Sequence, residues 1–434
     1  MTDRGTGRRR RAARLVAALA VCAAWAAAGP VARADEPTAA PTLTPATRFY
    51  VDPDSGAARQ AVADAAAGDS DDAARMTRLA ALPQAAWFTG GTPERVRADA
   101  AALAARAGAA GEVPVLVAYN VPGRDCGLYS GGGAATSAAY RDWVTGLADG
   151  IGDAGAVVLL EPDALAALPK DCAATGGTGG TAGDPTGELT RTRLADLAFA
   201  VTTLKRHPAT LVYLDAGNSQ WRAVGEMAQR LIDAGVDRAD GFALNVSNFQ
   251  PTDHQTRYGG WLSRCVWFAT RGPDWGRGHA DWCASQYHSS AAPNDGTAGG
   301  AVSAEDPTTW HWTDLWYDRT VGHPATTELA RFVVDTSRNG KGPWKPAPGT
   351  YPDPETWCNP PGRGMGPRPT ADTGQPLVDA YLYVKTIGDS DGSCTRGTAG
   401  PTDPAYGVVD PPAGTWWPEL AHALARDAEP ALLP

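Results

Sequence analysis

The sequence lacks the residue patterns that identify several common hydrolase classes. Its seven histidines are scattered without His-Glu-x-x-His spacing, and none of its cysteines belongs to a Cys-x-x-Cys or Cys/His zinc pattern. Because protein zinc sites use such spacings, we expect neither a catalytic nor a structural metal. We also expect no cofactor and no serine-hydrolase chemistry.

Long apolar runs are also scarce. Near the N-terminus, Leu15–Ala28 is apolar but too short to cross a bilayer. It follows the basic run Arg8–Arg11 and precedes the small residues Ala32–Ala34, which is the order of a secretory signal peptide. The arginines leave both the general and the twin-arginine export routes open. The predicted organisation of this secreted protein is a signal peptide, a short extension and one large domain, at residues 1–34, 35–48 and 49–434.

Basic residues are fewer than acidic ones. The chain carries 38 Lys and Arg against 48 Asp and Glu, a formal net charge of −10. Removal of the predicted leader, with seven arginines and one aspartate, lowers the net charge to −16. So acidic a protein repels nucleic acid and anionic lipid but not a neutral polymer. We therefore expect no nucleic-acid or membrane partner. We also expect the protein to be a monomer.

The cysteines are few but even in number. Loss of the leader removes Cys22 and leaves six cysteines in an exported protein, where disulfides are the default state. Six cysteines allow fifteen connectivities, which the sequence leaves open. The least strained arrangement is sequential, with Cys126–Cys172, Cys265–Cys283 and Cys358–Cys394.

Short apolar runs rich in β-branched residues alternate with helical patterns along the chain. The runs begin at Val115, Val157, Thr210, Gly241, Arg331 and Ala380, and the helical patterns span Ala135–Ile151, Thr190–His207 and Trp221–Ala234. Such alternation predicts an α/β domain with a parallel sheet. Each run ends in polar residues, at the strand end where α/β barrels carry their chemistry.

Two of these strand ends deliver aspartates, Asp125 and Asp163, to the same predicted rim. Hydrolysis of a glycosidic bond requires one carboxyl that donates a proton and another that stays ionised. The chain also has 15 tryptophans, many in polar or Gly/Pro-rich segments. Because an indole presents a flat apolar face on which a sugar ring stacks, Trp87 and Trp221, each beside a strand end, are predicted sugar contacts.

Longer motifs carry a family resemblance. VAYNVPGRDCGLYSGGG (Val117–Gly133) and VVLLEPDALA (Val157–Ala166) resemble the two signature motifs of glycoside hydrolase family 6, the inverting cellulases. The likeness continues through YLDAGNSQW, NVSNF, VVDTSRNG, WCNPPGRGMGPRP and AYLYVKTIGDSDGSC. The resemblance implies a distorted (β/α) barrel with seven parallel strands and an active site across the strand carboxyl ends.

The resemblance also implies roles for individual residues. Asp163 matches the general acid, Asp125 the aspartate that raises the acid's pKa and positions water, and Asp391 the proposed base. Tyr119 matches the tyrosine that crowds and distorts the sugar at the cleavage subsite. Arg124 is expected to keep Asp125 ionised or to tie its loop down. The predicted substrate contacts are Trp87, Ser130, Asp215, Asn218, Trp221, Asn245, Trp357, Lys385 and Asp389.

Some features depart from the family pattern. Asn218 stands where the family usually has histidine, and Asp389 stands where it usually has glutamate, so the geometry of substrate contact is open. The pairs Cys126–Cys172 and Cys358–Cys394 match disulfides of the family. Cys265–Cys283 lies in an insertion-like stretch, Arg257–His323, which is less general and could wall the cleft.

The predicted activity is inverting hydrolysis of internal β-1,4-glucosidic bonds in cellulose and related β-glucans. The β-1,4-glucan substrate is the one partner we expect. A short link from Asp391 to Pro411 favours an open cleft and therefore endo attack. The alternatives are an exo-acting cellobiohydrolase of the same family and a carbohydrate-binding protein without catalysis.

Overall fold

The structure is a computed structural model that describes residues 42–172, 184, 186–288 and 300–433. The predicted signal peptide and most of the predicted extension lie outside the described residues. Among the residues that are described, no helix is long and apolar enough to span a membrane.

Seven parallel strands form one sheet in the order of the sequence, from β1 to β7. The strands are β1 (Ala86–Phe88), β2 (Val115–Ala118), β3 (Ala156–Leu160), β4 (Thr210–Asp215), β5 (Gly241–Leu244), β6 (Arg331–Asp335) and β7 (Val378–Leu382). Six of the strands correspond to runs seen in the sequence. The strand expected to begin at Ala380 is β7, which begins two residues earlier and ends before Lys385. Strand β1 has only three residues, too few for a clear pattern.

Helices connect the strands and cover the outside of the sheet. They are α1 (Gly56–Ala67), α2 (Ser70–Ala80), α3 (Pro93–Ala110), α4 (Ser137–Ile151), α5 (Pro169–Cys172), α6 (Glu188–Leu204), α7 (Val224–Asp233), α8 (Thr252–Arg271), α9 (His311–Trp316) and α10 (Pro418–Arg426). Both ends of helix α3 are capped. The Thr92 hydroxyl caps its first turn, and Gly111 ends the helix at a φ of 66°.

Alternate residues of each strand point to opposite faces of the sheet. In the register of β2, β3 and β4, Val117 aligns with Leu159 and Leu159 with Tyr213. These side chains join one buried cluster with strand residues on the inner face. Their neighbours Leu116 and Val158 face the helices in a second, larger cluster. The sheet therefore has two buried faces, which explains its nearly continuous apolar strands.

The sheet curls until its two edges approach each other. The Ala85 amide, just before β1, donates to the Tyr383 carbonyl just after β7 at 2.9 Å, and the Trp87 indole N–H donates to the Val384 carbonyl at 2.8 Å. No β-pairing joins the two described edges. The predicted distorted (β/α) barrel is confirmed, and its strand carboxyl ends share one rim.

The insertion-like stretch needs a correction at its start, because Arg257 lies inside the regular helix α8. The glycines and tryptophans of that helix obscured its pattern. Beyond α8, the Gln286 amide donates to the Ser219 carbonyl at 3.0 Å, and the Ala304 carbonyl accepts from Gln220 at 2.5 Å. The described part of the segment therefore borders the rim after β4.

Three disulfides have the sequential connectivity. Cys126–Cys172 ties the loop after β2 to α5, which follows β3. Cys265–Cys283 fastens the segment after α8 to that helix. Cys358–Cys394 joins the loops that follow β6 and β7. Two of the three therefore connect rim loops, which carry most of the predicted site residues.

Candidate active site

Asp163 lies in the turn that leaves β3. The turn places Glu161 and Asp163 at φ values of 53° and 67°, a region that side chains other than glycine seldom adopt. The Asp163 amide is held by the Asp215 carboxylate at 3.0 Å. Asp163 keeps part of its surface exposed, as a proton donor to a substrate must. Such unusual backbone conformations persist where surrounding contacts fix them, often at functional sites.

The surroundings of Asp163 favour its protonated form. Desolvation by burial raises its pKa well above the ordinary range, and repulsion from Asp215 and then Asp125 raises it further. The Lys385 ammonium opposes this effect but does not outweigh it. A carboxyl that remains protonated at mildly acidic pH can act as a general acid.

Asp215, at the end of β4, is the carboxylate with the largest electrostatic effect on Asp163. Its Oδ1 accepts from the amides of Asp163 and Gly217, each at 3.0 Å, and its buried Oδ2 has no partner among the described residues. Burial raises the pKa of Asp215 to about 7. Asp215, predicted only as a substrate contact, therefore also tunes the predicted acid.

Asp125 lies in a tight turn after β2, with φ values of 56° and 47° at Asp125 and Cys126. Its Oδ2 accepts from the Ser130 amide at 2.8 Å. Burial raises the pKa of Asp125 to about 6, although the Ser130 amide and the Arg124 charge lower it. Ser130 contacts Asp125 through its backbone amide, so it helps to set the shape of the Asp125 loop.

Arg124 ties this loop down by donating to three carbonyl groups. They belong to Thr89, Tyr119 and Ser130, at 2.7, 2.6 and 2.9 Å. Its guanidinium carbon also lies 4.7 Å from the centroid of the Tyr119 ring. Arg124 favours ionisation of Asp125 only partly, because the pKa of Asp125 is still raised.

Asp391, beyond β7, is buried between two cations. The Arg338 guanidinium donates to its Oδ2 at 2.7 Å, and the Lys385 ammonium lies 3.1 Å from Oδ1. Burial alone would raise the pKa of Asp391, but Arg338 and Lys385 hold it below its ordinary value. Asp391 therefore stays ionised where Asp163 is protonated.

Asn359 clamps Asp391 from the loop after β6, and sequence reasoning missed it. Its amide donates to Asp391 Oδ2 at 2.9 Å, and its Oδ1 accepts from the Asp391 amide at 2.7 Å. Its Nδ2 reaches the Asp410 carboxylate at 2.9 Å. Asn359 has a φ of 38°, and this backbone conformation lets its amide and its side-chain oxygen bond to Asp391 at the same time. The adjacent disulfide partner, Cys358, was the nearest signal in the sequence.

Glu161 is a second residue that sequence reasoning missed. It is fully buried, and its Oε2 accepts from the amides of Asn120 and Val121 at 2.9 and 3.0 Å. Burial raises its pKa to about 7. These bonds lock the end of β2 against the end of β3, so Glu161 sets the position of the Asp125 loop relative to Asp163.

The predicted aromatic contacts occupy the same rim. Trp87 packs edge-on against Tyr119, with ring centroids 5.5 Å apart and planes at 90°. Trp221 and Trp357 are 36% and 39% exposed, unlike most tryptophans of the core, and Trp357 lies 5.7 Å from the Tyr129 ring. Exposed indoles beside a line of carboxylates suit a ligand with apolar ring faces.

The predicted polar contacts differ in their exposure. Asp389 is half-buried, and burial raises its pKa. Asn218 is 5% exposed, with its Oδ1 bonded to the Gln220 amide at 2.9 Å. Asn245 remains a predicted contact; its side chain is fully buried and bonded to Gln250 and to the Asp335 carbonyl. These bonds tie the loop after β5 to the end of β6.

The segment Gly388–Gly392 reads GDSDG, which fits the Gly-x-Ser-x-Gly pattern of serine hydrolases. The structure does not support a nucleophile there. Ser390 is fully buried, its hydroxyl donates to the Pro411 carbonyl at 2.8 Å, and the residues that follow form no helix. A nucleophile elbow requires an exposed serine on a strand-to-helix turn.

One cluster of potential metal ligands occurs among the described residues, formed by Cys394, Asp403 and Asp410. Cys394 is consumed by its disulfide with Cys358, and both carboxylate oxygens of Asp403 accept from the buried Arg396 guanidinium. These residues do not fit a metal site.

A carboxyl with a raised pKa and one with a lowered pKa, on a barrel rim flanked by exposed indoles, are typical of carbohydrate-cleaving hydrolases. The chain matches glycosyl hydrolases family 6 over residues 44–428 and belongs to that family.

Individual relatives and solved structures support the same family assignment. The chain is 34% identical to endoglucanase 1 of Streptomyces halstedii over 94% of this chain and 97% of the relative, and 33% identical to endoglucanase A of Cellulomonas fimi over 88% and 62%. The endoglucanase Cel6 of Mycobacterium tuberculosis, solved with a thio-linked cellobioside, has a TM-score of 0.61 at 33% identity, covering 88% of this chain and 97% of that one. The chain spans less than two thirds of the length of two curated relatives, the endoglucanases A of C. fimi and Thermobispora bispora (62% and 66%).

Proposed function

We propose that the protein is a secreted endo-β-1,4-glucanase that cleaves cellulose and related β-glucans with inversion. The observation that carries the proposal is the opposite charge state of two carboxyls on one rim. Burial and neighbouring carboxylates favour protonated Asp163, whereas Arg338 and Lys385 favour ionised Asp391. An inverting glycosidase needs this pairing of an acid with a base on the other side of the sugar.

In the proposed mechanism, Asp163 protonates the leaving glycosidic oxygen. Asp391 accepts a proton from the attacking water through a bridging water, since both of its oxygens are already bonded to cations. Asp125 orients water and, when ionised, raises the pKa of Asp163. Tyr119, held between Arg124 and Trp87, limits the room for a relaxed sugar ring and so favours distortion.

The remaining residues are proposed to bind the glucan. Trp221 and Trp357 present exposed indoles to sugar rings. Asn218 and Asp389 are proposed to bind hydroxyl groups. The Lys385 ammonium contacts Asp391 and the Ser390 carbonyl, and its third N–H is proposed to bind a hydroxyl group as well. Asn218 and Asp389 are shorter than the residues usual in the family, so their contacts with sugar are expected to be longer or water-mediated.

Endo attack is the favoured mode. Relatives that are at least 31% identical over most of the chain are named endoglucanases, whereas those named cellobiohydrolases are 29% identical over 73% of it. An enzyme that cuts internal bonds shortens chains quickly while releasing few ends.

The viscosity of carboxymethylcellulose should therefore fall steeply before many reducing ends appear. Viscometry and a reducing-end assay on the same digest measure both quantities. Nearly constant viscosity with accumulating cellobiose would instead identify an exo-acting cellobiohydrolase. Binding without release of any reducing end would identify a carbohydrate-binding protein.

The first product released from a β-linked glucan should be the α-anomer. Inversion follows when water attacks directly from the face opposite the leaving group, with no covalent intermediate. A proton NMR time course on a cello-oligosaccharide distinguishes the anomers before mutarotation equalises them. The β-anomer appearing first would require a carboxylate nucleophile and would contradict the proposed mechanism.

A further inference from the structure

A cavity lies on the rim that carries the proposed active site, beside the residues assigned to catalysis. It has a volume of about 600 Å³ and is lined by segments that follow three consecutive strands. Gln220 follows β4, Gln250 and His254 follow β5, and the segment 343–356 follows β6. Gln220 and Thr356 directly precede the exposed Trp221 and Trp357, so the cavity borders the cleft.

One wall of this cavity is aromatic and preformed. The rings of Trp344 and Tyr351 are 5.6 Å apart and tilted by 48°. The fully buried Arg396 guanidinium lies 5.1 Å from the Trp344 ring centroid and is itself held by Asp403. Four of the lining residues in the 343–356 segment are prolines, which restrict the backbone. The indole therefore has a fixed position before any ligand arrives.

The polar groups of the cavity carry no net charge. Lys345 and Glu305 at its edge neutralise each other in an ion pair of 3.0 Å. Burial lowers the pKa of His254, which keeps its ring neutral. The side-chain amide of Gln250 has no hydrogen-bond partner among the described residues, although its backbone is bonded to Asn245. A free amide offers both a donor and an acceptor.

From this geometry we infer that the cavity is an accessory subsite that binds a neutral sugar residue of a β-glucan, through Trp344 and Gln250. The inference rests on the proposed function. An apolar ring face with a few hydrogen-bonding groups is how proteins hold small neutral ligands, and the volume falls within the range of about 300–1,000 Å³ for such sites. An anionic ligand would find no unpaired cation among the described lining residues.

The sugar residue has two possible sources with the same chemistry. It is either the next glucosyl unit of a main chain that runs past Trp221, or a side-chain sugar of a branched glucan whose backbone lies in the cleft. Kinetics on linear and branched oligosaccharides separate these sources.

The test compares Gln250→Ala and Trp344→Ala with the wild type and with Gln229→Ala, whose exposed glutamine on α7 lies outside the cavity. We expect the ratio of kcat/KM for cellohexaose to that for cellotetraose to fall about fivefold, the size of one neutral hydrogen bond. If the sugar comes from a branch, the ratio of branched to linear oligosaccharide falls instead. Either fall supports the subsite.

Ratios for both variants equal to those of the wild type and Gln229→Ala would overturn the inference while leaving the glucanase proposal intact. A wild-type protein inactive on every β-glucan would overturn both. Because Arg396 packs on Trp344, Trp344→Ala is first compared with the wild type in thermal melting. Gln250 is half-buried and its side-chain amide bonds to no described residue, so Gln250→Ala is the decisive variant if Trp344→Ala unfolds.

Discussion

Replacement of Asp163 by asparagine should lower hydrolysis of cellulose roughly 10²–10⁴-fold, the usual contribution of a general acid. The amide keeps the shape of the carboxyl but has no proton to give to the departing sugar oxygen. Aryl cellobiosides with an acidic phenol need little protonation of the leaving group, so their hydrolysis should suffer far less. Steady-state kinetics on both substrates measures the difference.

Asp149→Asn is a matched control, because Asp149 is exposed on α4, away from the strand carboxyl ends. It should leave both rates near those of the wild type. Equal losses of Asp163→Asn on the two substrates would contradict the acid assignment and indicate a binding or folding defect.

The pH profile of the wild type tests the same assignment. Because the pKa of Asp163 is raised, the acid stays protonated, and activity should decline only as the pH rises through that raised value. The acid limb should lie near the pKa of Asp125, about 6, since protonated Asp125 no longer orients water as an anion. Asp163→Asn should remove the alkaline limb on aryl cellobiosides and leave the acid limb in place.

Much of the fold could be predicted because its strands are buried on both faces. Strands such as β3 and β4 are then continuous apolar runs, which stand out in a sequence. Strand β1 is too short for such a signal, and its place depends on pairing with β2 and on hydrogen bonds to residues almost 300 positions away. The insertion-like stretch was expected to begin at Arg257, which lies inside α8, because Gly259 of that helix packs against Phe332 of β6, a contact that no local pattern reveals.

The candidate site was predictable only as far as its side chains lie in local motifs. Asp125 and Asp163 follow strands and belong to recognisable segments. Arg338 and Asn359 also belong to recognisable segments, but no local pattern reveals their contacts with Asp391, which cross 53 and 32 residues. Asn245, just after β5, has a positive φ and a fully buried side chain, and neither property can be read from a local motif.

Buried polar groups form a hydrogen-bonded network around Asp391. Arg396, fully buried, donates to the carbonyls of Cys358 and Asn359 and to Asp403. Asn359 in turn links Asp410 to Asp391. Hydrogen bonds among these buried groups favour a single arrangement of the loop, even though Asp410 Oδ1 and Arg338 Nε have no partner among the described residues. We infer that this arrangement holds Asp391 at a constant position while the substrate moves.

Replacement of Asp391 by asparagine should lower activity roughly 10²–10⁴-fold, but with a pattern unlike that of Asp163→Asn. The base acts on the attacking water, which every substrate requires. Cellulose and activated aryl cellobiosides should therefore lose activity to a similar extent. Because the pKa of Asp391 is lowered, the wild-type acid limb should not report its titration, and the variant should keep both limbs of the profile.

The loss of a buried charge also has a structural cost that the experiment must separate. Asp391→Asn leaves Arg338 and Lys385 without their anion, and breaking a buried ion pair destabilises a protein by about 3–5 kcal/mol. Denaturant unfolding gives this loss, and rates are then measured where the variant is fully folded. Asp372→Asn, at an exposed position before β7, is the matched control and should be neutral in both assays. Formate, a small carboxylate, should partly restore the rate of the truncated variant Asp391→Ala, which leaves room for it, if the missing function is that of a base. A folded Asp391→Asn protein with nearly wild-type rates would show that Asp391 only organises the loop and that the water is activated elsewhere.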